Sequence, residues 1–167
     1  DILMIETPAT CHADFCAAGL KAGAHVYSDI PTVRTLGEAK MLWDVAKTSD
    51  RKFMSGSTTM GWGMIMELQD LVSRGEIGKP FALEAEYIHD CRYLWKETPW
   101  RCPSKTSKSL PIRYCTHSLG PLLSIIDDDV RTVSCVTTGS HVTDNEYAND
   151  YMSALFQTPS GVTVRFT

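Results

Sequence analysis

The chain has 167 residues, 43% of them hydrophobic, a formal net charge of −4 and a sequence pI of about 5.7, so it can bury the core of one or two domains. Its basic residues are scattered without long runs of like charge, which argues against nucleic acid as a partner. Its apolar stretches fall far short of the roughly 20 residues that a membrane span needs, so we expect no membrane partner.

The first 58 residues alternate between short apolar runs and helical periods. Strands are predicted at residues 1–5, 24–27 and 52–55, the first of them as a fully buried strand of the parallel type. A β-α-β-α-β order with short connections favours parallel strands and right-handed crossovers. This segment therefore predicts half of a doubly wound α/β sheet.

Two capping patterns mark the intervening helices. Thr10 is predicted to cap a helix over residues 11–21. Thr35 and Glu38 form a capping box that opens the second helix. In this second helix, helical spacing is kept by Leu36, Ala39, Trp43 and Ala46.

The second part of the chain has a different pattern. A helix with apolar residues from Met64 to Val72 is closed by Gly75, and residues 91–109 read as a long polar loop. Later strands include a predicted hairpin turn at residues 158–161. Helices followed by mainly antiparallel strands predict an α+β domain over residues 59–167. Between helix and loop, residues 79–90 alternate with period two, which places on one face Phe81, Leu83, Ala85, Tyr87 and His89.

Compact polar turns follow each of the three predicted parallel strands. Since ligands of open α/β sheets bind beyond the carboxyl ends of the strands, these turns mark a candidate cofactor edge. No G-x-G-x-x-G loop is present, so we expect a phosphate-binding loop to precede residue 1. The alternative is that these are ordinary turn and capping residues. The candidates at this edge are Thr7, Pro8, His12, Asp29, Pro31 and Thr58.

Tyr114 and His117 lie three residues apart at the predicted head of an apolar helix that ends near residue 126. This spacing places both side chains on one helical face. An imidazole ordinarily titrates with a pKa of about 6.5, so a histidine there can exchange protons at physiological pH. The pair is a candidate for proton transfer to and from a sugar-like hydroxyl.

Six cysteines are dispersed without a C-x-x-C pair. This spacing predicts neither a disulfide framework nor a zinc site, and we expect no metal. Dispersed thiols suit a reducing compartment, so a cytoplasmic location is expected, although any leader peptide would lie upstream of residue 1.

Short motifs follow one another in a fixed order along the chain, in residues 1–12, 22–31, 35–39, 74–80, 86–92, 100–101 and 114–121. This series resembles the glucose–fructose oxidoreductase/inositol dehydrogenase (Gfo/Idh/MocA) superfamily. The motifs from residue 74 onward are similar to the branch that includes the NAD-dependent glycosidases.

The resemblance implies a Rossmann domain that binds NAD(P), with NAD favoured, followed by an open, mainly antiparallel sheet with helices on one face that carries the substrate site. It implies that residues 1–58 are a partial Rossmann domain and 59–167 a partial substrate domain, and hence that the chain is an internal fragment. A homo-oligomer formed through the open sheet face is expected in the parent protein.

The resemblance also implies roles for individual residues. The catalytic candidates are His117, Tyr114 and Tyr87. Besides the six residues of the cofactor edge, Trp100 and Arg101 are implied to bind the cofactor. Three positions depart from the usual pattern: Ile30 stands where a catalytic lysine is common, Arg113 replaces an aspartate, and Thr58 replaces an asparagine.

Three functions remain open at this point. The first is an NAD(P)-dependent oxidoreductase that acts on a sugar or polyol hydroxyl. The second is a glycoside hydrolase that uses NAD+ for transient C3 oxidation and elimination, and the absent lysine favours it over plain dehydrogenation. The third is a non-catalytic protein that binds a nucleotide or sugar. Without the Gly-rich turn, the isolated chain is expected to bind NAD weakly and to be inactive.

Overall fold

A computed structural model describes residues 1–105 and 110–167. The chain divides into two compact units, Asp1–Ser57 and Thr58–Thr167. The last four residues of the loop predicted over 91–109 lie outside the described residues. Within the described parts of the chain, no helix is long and apolar enough to cross a membrane.

The first unit is a three-stranded parallel sheet with two helices. Its strands, in the spatial order β1-β2-β3, are paired in parallel throughout, as the α/β prediction requires. The core between sheet and helices contains Ile5, Cys16, Leu20, Val26 and Leu42. The elements in chain order are β1 (Ile2–Ile5), α1 (His12–Lys21), β2 (His25–Ser28), α2 (Leu36–Ala46) and β3 (Phe53–Ser55).

The fully buried first strand was a wrong prediction. β1 is an edge strand, and only Ile5 among its residues is buried. Helix α1 approaches one face of the strand so closely that a Cβ atom on Gly19 would lie 2.7 Å from Cδ2 of Leu3. On the other face, Ile2 and Met4 are exposed. The apolar composition of β1 suits a strand that is covered on both faces, but only one of its faces is covered in this structure.

The capping predictions had opposite outcomes. Thr35 caps α2, because its Oγ1 accepts a hydrogen bond from the backbone N–H of Glu38 at 3.1 Å. Thr10 does not cap α1: the residue at the cap position is Cys11, and no side chain there accepts a hydrogen bond from the helix. The Thr10 hydroxyl instead lies 3.6 Å from the Cys11 thiol.

Only part of the helically spaced set of α2 meets the core. Leu36 is 91% exposed and Trp43 is 68% exposed, whereas Leu42 is buried. The residues that accompany Leu42 against the core are Met41, Val45 and Ala46. Both sets of residues have helical spacing, so periodicity alone does not select the face that meets the sheet.

The second unit is built on a four-stranded mixed sheet with the order β4-β7-β6-β5. Strand β4 is parallel to β7, and the other two pairs are antiparallel, in agreement with the mainly antiparallel prediction. The described part of this unit also contains three 3₁₀ helices, which span Thr58–Gly61, Pro99–Arg101 and Pro111–His117. Those elements are α3 (Gly63–Ser73), β4 (Ala82–Ala85), α4 (Arg92–Glu97), α5 (Leu119–Ile126), β5 (Thr132–Thr137), β6 (Met152–Gln157) and β7 (Thr163–Phe166).

One face of this sheet carries the core of the unit. Phe156, Val164 and Phe166 are buried there, and the 3₁₀ helix Pro111–His117 and α5 pack against them. The opposite face exposes Leu155 and the charged side chains of Glu84 and Arg165. We call this second surface the open face. The β6–β7 hairpin closes over residues 158–161, where Gly161 has a φ of 92° and the Gly161 N–H donates to the Thr158 carbonyl oxygen at 3.1 Å, as predicted.

Three predictions for this unit need correction. Residues 91–105 are not a plain loop, since they contain α4 and the 3₁₀ helix Pro99–Arg101. Phe81 does not share the environment of Leu83, because it precedes β4 and is 82% exposed. Tyr114 and His117 do not begin the apolar α-helix: they lie in the 3₁₀ helix before it, and α5 starts at Leu119.

Candidate active site

Four aromatic rings of the second unit form one cluster. The ring of Tyr87 stacks on His89 with a centroid distance of 4.6 Å and on His117 with a centroid distance of 5.1 Å. Tyr114 meets His117 edge-on at 4.9 Å and lies 5.9 Å from Tyr87. Tyr87 is therefore in contact with all three other rings, and we call these four side chains the ring cluster.

Two segments far apart in the sequence bring the ring cluster together. Tyr87 lies two residues after the end of β4 and is held by a hydrogen bond from its N–H to the Thr167 carbonyl oxygen at 2.8 Å. Tyr114 and His117 stand on the 3₁₀ helix Pro111–His117, which kinks at Tyr114 with φ −91° and ψ 20°. In a 3₁₀ helix, residues three apart are superposed along the axis. The three-residue spacing thus does bring the two side chains together, although not in the α-helix that was predicted.

Asp90 and Arg92, which follow His89 in the sequence, form an ion pair. The Arg92 guanidinium donates to both carboxylate oxygens of Asp90, at 2.8 and 2.6 Å. These hydrogen bonds hold the pKa of Asp90 at about 2. The carboxylate next to His89 is therefore ionised under all physiological conditions.

Cys115 lies between Tyr114 and His117 in sequence but packs into the core behind them. Burial raises the pKa of the Cys115 thiol. Since the thiolate is the reactive form, this side chain is suited to packing and not to nucleophilic attack. The groups that can move protons here are the two phenols and the two imidazoles of the ring cluster.

Five of the six residues of the candidate cofactor edge lie in the first unit, near the carboxyl ends of β1 and β2, whereas Thr58 belongs to the second unit. His12 is 1% exposed, and its ring contacts the carbonyl oxygens of Thr7 and Pro31. Asp29 follows β2 and is exposed, and its carbonyl oxygen accepts from Thr32 at 3.3 Å. Pro8 is exposed in the turn after β1. The structure thus brings Thr7, His12 and Pro31 together directly.

A polar atom at this edge has no partner in the described structure. The hydroxyl oxygen of Thr7 is buried and makes no hydrogen bond with any described residue. An unpaired buried hydroxyl is costly, and a ligand with a hydroxyl, amide or phosphate group would satisfy it. The unpaired Thr7 oxygen is thus one group at this edge that a bound ligand would satisfy.

The remaining cofactor candidates lie in the second unit. Trp100 is exposed, and the Arg101 guanidinium lies 4.5 Å from the centroid of its ring, a cation–π contact. Asn145 holds the segment just after them, since its amide donates to the Pro103 carbonyl oxygen at 2.9 Å. Thr58 is the first residue of the 3₁₀ helix Thr58–Gly61.

Two residues of these sites were missing from the predicted set. His89 was placed on the face of Tyr87 by strand periodicity but was not selected, and its stacking on Tyr87 makes it a member of the ring cluster. No sequence pattern pointed to Asn145, because its hydrogen-bond partner Pro103 lies 42 residues away in sequence. Among the described residues, no group of three or more His, Cys, Asp or Glu could hold a metal ion.

Fold and site together define a protein with a nucleotide-binding Rossmann half and a sheet-bearing partner unit. Two family models match the chain: "Oxidoreductase family, NAD-binding Rossmann fold" over residues 1–57 and "GFO/IDH/MocA C-terminal domain" over residues 65–167. The chain belongs to the Gfo/Idh/MocA family, an oxidoreductase family with an NAD-binding fold.

Curated relatives include the "Glycosyl hydrolase family 109 protein 1" of Shewanella sp. (strain ANA-3) and the "Glycosyl hydrolase family 109 protein" of Shewanella baltica (strain OS155 / ATCC BAA-1091). The first is 30% identical over 128 residues and the second 30% identical over 131 residues. In each case the match covers 73% of this chain and 28% of the relative, so the chain spans less than a third of their length.

Solved structures share the fold at low identity. An inositol dehydrogenase homolog from Azotobacter vinelandii, complexed with NADH and myo-inositol, has a TM-score of 0.83 and 20% identity, covering 99% of this chain and 43% of that chain. The myo-inositol 2-dehydrogenase of Lactobacillus plantarum has a TM-score of 0.83 and 16% identity, covering 99% and 50%. These likenesses establish the α/β fold.

Proposed function

We propose that the intact protein is a nicotinamide-dependent enzyme that acts on a hydroxyl of a sugar or polyol. The observation that carries the proposal is the ring cluster, in which two phenols and two imidazoles lie within stacking distance of one another. A bound nicotinamide would supply the two-electron acceptor for the alcohol. The cofactor candidates of the first unit, Thr7, Pro8, His12, Asp29 and Pro31, would hold it, with NAD favoured.

The residues of the ring cluster would handle the proton. His117 is assigned as the base that accepts the hydroxyl proton of the alcohol, because an imidazole changes charge near neutral pH. Tyr87 and Tyr114 each touch the His117 ring, so either phenol can donate a hydrogen bond to a neighbouring substrate hydroxyl. Oriented donors and acceptors of this kind also select a polyol over a simple alcohol.

A second candidate function is glycoside hydrolysis with no net redox change. Two observations favour it: the relatives that carry the glycosyl hydrolase family 109 name, and the presence of a second phenol beside the base. In this reaction Tyr87 or Tyr114 would take the proton from C2 after oxidation at the neighbouring C3. Departure of the C1 substituent, addition of water at C1 and return of the C2 proton would follow, and return of the hydride to C3 would restore the alcohol and the oxidised cofactor.

Two assays of the intact protein separate these functions. A rise in NADH absorbance with a panel of sugars and inositols supports dehydrogenation. Release of an aryl group from aryl glycosides without net NADH, lost when the cofactor is stripped, supports hydrolysis. Neither signal, together with measurable sugar or nucleotide binding, would leave a binding protein and refute the catalytic proposal.

His117→Asn tests the assignment of the base. We expect kcat to fall by about 10²- to 10⁴-fold, the usual contribution of a general base. Tyr147→Phe is the matched control in the same unit, outside the ring cluster, and should leave kcat unchanged. Wild-type activity in His117→Asn would remove the imidazole from the proposed mechanism.

We also propose that a second copy of the protein packs on the open face. Leu155 is 51% exposed there, beside the Glu84–Arg165 ion pair of 2.9 Å. Exposed apolar side chains on a sheet face are candidates for contact with another chain. Light scattering of the intact protein and of Leu155→Arg tests the assignment: the variant should dissociate, and an unchanged mass would exclude this face.

A further inference from the structure

Asn145 connects two segments of the second unit that lie far apart in sequence. Its side-chain amide nitrogen donates to the carbonyl oxygen of Pro103 at 2.9 Å and to the sulfur of Cys102 at 3.5 Å. Pro103 is buried and Asn145 is half-buried, so these contacts are partly shielded from water. Loss of the amide would leave the Pro103 carbonyl oxygen without this partner, which is costly at a buried position.

The oxygen of the same amide is also used. It accepts the backbone N–H of Tyr147 at 3.0 Å, and the backbone carbonyl oxygen of Asn145 accepts the N–H of Ala148 at 2.9 Å. Since Pro103 offers an acceptor and Tyr147 a donor, only one orientation of the amide satisfies both. The oxygen therefore stabilises the turn that contains Asn145, and the NH₂ group reaches across to the distant segment.

The loop between β5 and β6, which carries Asn145, is held by its own hydrogen bonds. The backbone N–H of Asp150 donates to the carbonyl oxygen of Gly139 at 2.9 Å. The carboxylate of Asp150 accepts the backbone N–H groups of His141 and Val142. These bonds order both ends of the loop, so that Asn145 is presented to the distant segment in a defined position.

The segment that Asn145 contacts begins directly after Trp100 and Arg101, whose side chains form the cation–π pair. The backbone N–H of Cys102 donates to the carbonyl oxygen of Pro99 at 3.0 Å, which joins Cys102 to the 3₁₀ helix that carries the pair. Both side chains of the pair are exposed. A helix of three residues has too few hydrogen bonds to be rigid by itself, so the contact from Asn145 anchors it.

We propose that Asn145 is a positioning residue, which fixes the Trp100–Arg101 pair in the orientation that binds an oxygen-rich ligand. The guanidinium donates to ligand oxygens, which a dinucleotide phosphate and a sugar hydroxyl both offer. Asn145 acts through the pair, since its own amide groups are engaged by protein partners. The consequence for ligand binding rests on the proposed function, whereas the anchoring of the segment does not.

Hydrogen exchange of the intact protein, followed by mass spectrometry, tests the anchoring without an assay of activity. Asn145→Asp keeps the acceptor oxygen of the side chain but removes the NH₂ donor. We expect the backbone amides of Arg101 and Cys102 to exchange about tenfold faster in this variant. Asn149→Asp is the matched control: it adds the same charge to the same loop, and aspartate keeps the acceptor oxygen that Asn149 uses. Equal exchange in Asn145→Asp and wild type would overturn the proposal.

A double-mutant cycle in the intact protein tests whether Asn145 acts through Arg101. Asn145→Asp and Arg101→Gln should each raise the KM of the ligand that the pair binds by about tenfold, with a smaller change in kcat. The double variant should match Arg101→Gln within about twofold. The KM for NAD+ and the KM for the best substrate of the sugar and inositol panel are measured separately, which shows which ligand the pair binds. Asn149→Asp should leave both unchanged.

Three kinetic outcomes would refute the positioning role. These are additive effects in the double variant, an unchanged KM in Asn145→Asp beside a raised KM in Arg101→Gln, and unchanged KM values in both single variants. If the wild-type protein turns over no sugar and binds no dinucleotide, the proposed function fails instead, and hydrogen exchange alone decides whether Asn145 anchors the segment.

Discussion

The candidate cofactor edge and the ring cluster differ in the chemical groups that form them. The edge consists largely of backbone carbonyl groups on two loops, which the side chains of His12 and Thr32 contact. The ring cluster consists of side chains that contact one another directly. A substitution at the edge should therefore change geometry and affinity, whereas one in the cluster should remove a chemical group and change the rate.

The largest expected effect is that of a substitution at Tyr87. Tyr87→Phe keeps the ring that stacks on His89 and His117 but removes the hydroxyl. We expect kcat to fall by about 10²-fold or more, with little change in stability, if the phenol handles a proton. Steady-state kinetics together with thermal melting checks this, with Tyr147→Phe as the control. Full activity in Tyr87→Phe would make the phenol a packing element.

The two cores offer the next comparison. Phe156→Ala should cost about 3–5 kcal/mol of unfolding free energy, because it empties a buried ring site in the second unit. Leu155→Ala is the matched control: it is the preceding residue on β6 but lies on the open face, and it should cost far less. Urea unfolding of both variants measures the difference. Equal losses would show that the open face is covered in the intact protein.

Helix capping gives a smaller effect in the first unit. Thr35→Ala removes the oxygen that accepts the Glu38 N–H and should cost about 1 kcal/mol. Thr10→Ala should cost less, since Thr10 caps no helix. Urea unfolding again provides the measurement, and a reversed order would contradict the cap assignment.

The smallest effect concerns acid stability of the β6–β7 hairpin. Hydrogen bonds from the hydroxyls of Ser160 and Thr158 lower the pKa of Asp128 to about 2, from an ordinary 3.8. The stabilisation is present above pH 3.8 and is lost as the pH falls toward 2. We expect Asp128→Asn to flatten this acid loss in unfolding experiments between pH 5 and pH 2, with Asp129→Asn as the control. A parallel loss in Asp128→Asn and wild type would contradict it.

Periodicity and turn signals were enough to predict the α/β and α+β architecture. They work because strands, helices and caps depend on residues close in sequence, such as Thr35 and Glu38. They failed for Leu36 and Trp43, whose exposure depends on which side of α2 meets the sheet. Tertiary packing decides which side of α2 meets the sheet, and the spacing of its apolar residues does not reveal that side.

The candidate sites were predicted only in part, for a related reason. The spacing of Tyr114 and His117 placed two rings of the cluster together, and strand alternation placed Tyr87 and His89 on one side. These pairs are joined by the contact between Tyr87 and His117, which are 30 residues apart, and no local pattern encodes such a contact. His12 was expected at the cofactor edge because it begins a helix, but the sequence gave no reason to expect its ring between two carbonyl groups.

The distribution of thiols makes selective chemical labelling possible. Cys16 and Cys115 pack inside their units with pKa values raised by burial, whereas Cys135 stands exposed on β5. A maleimide dye at neutral pH should therefore attach to Cys135 before it reaches Cys16 or Cys115. A fluorophore on that outer strand would report on assembly of the protein while leaving the rings around Tyr87 chemically untouched.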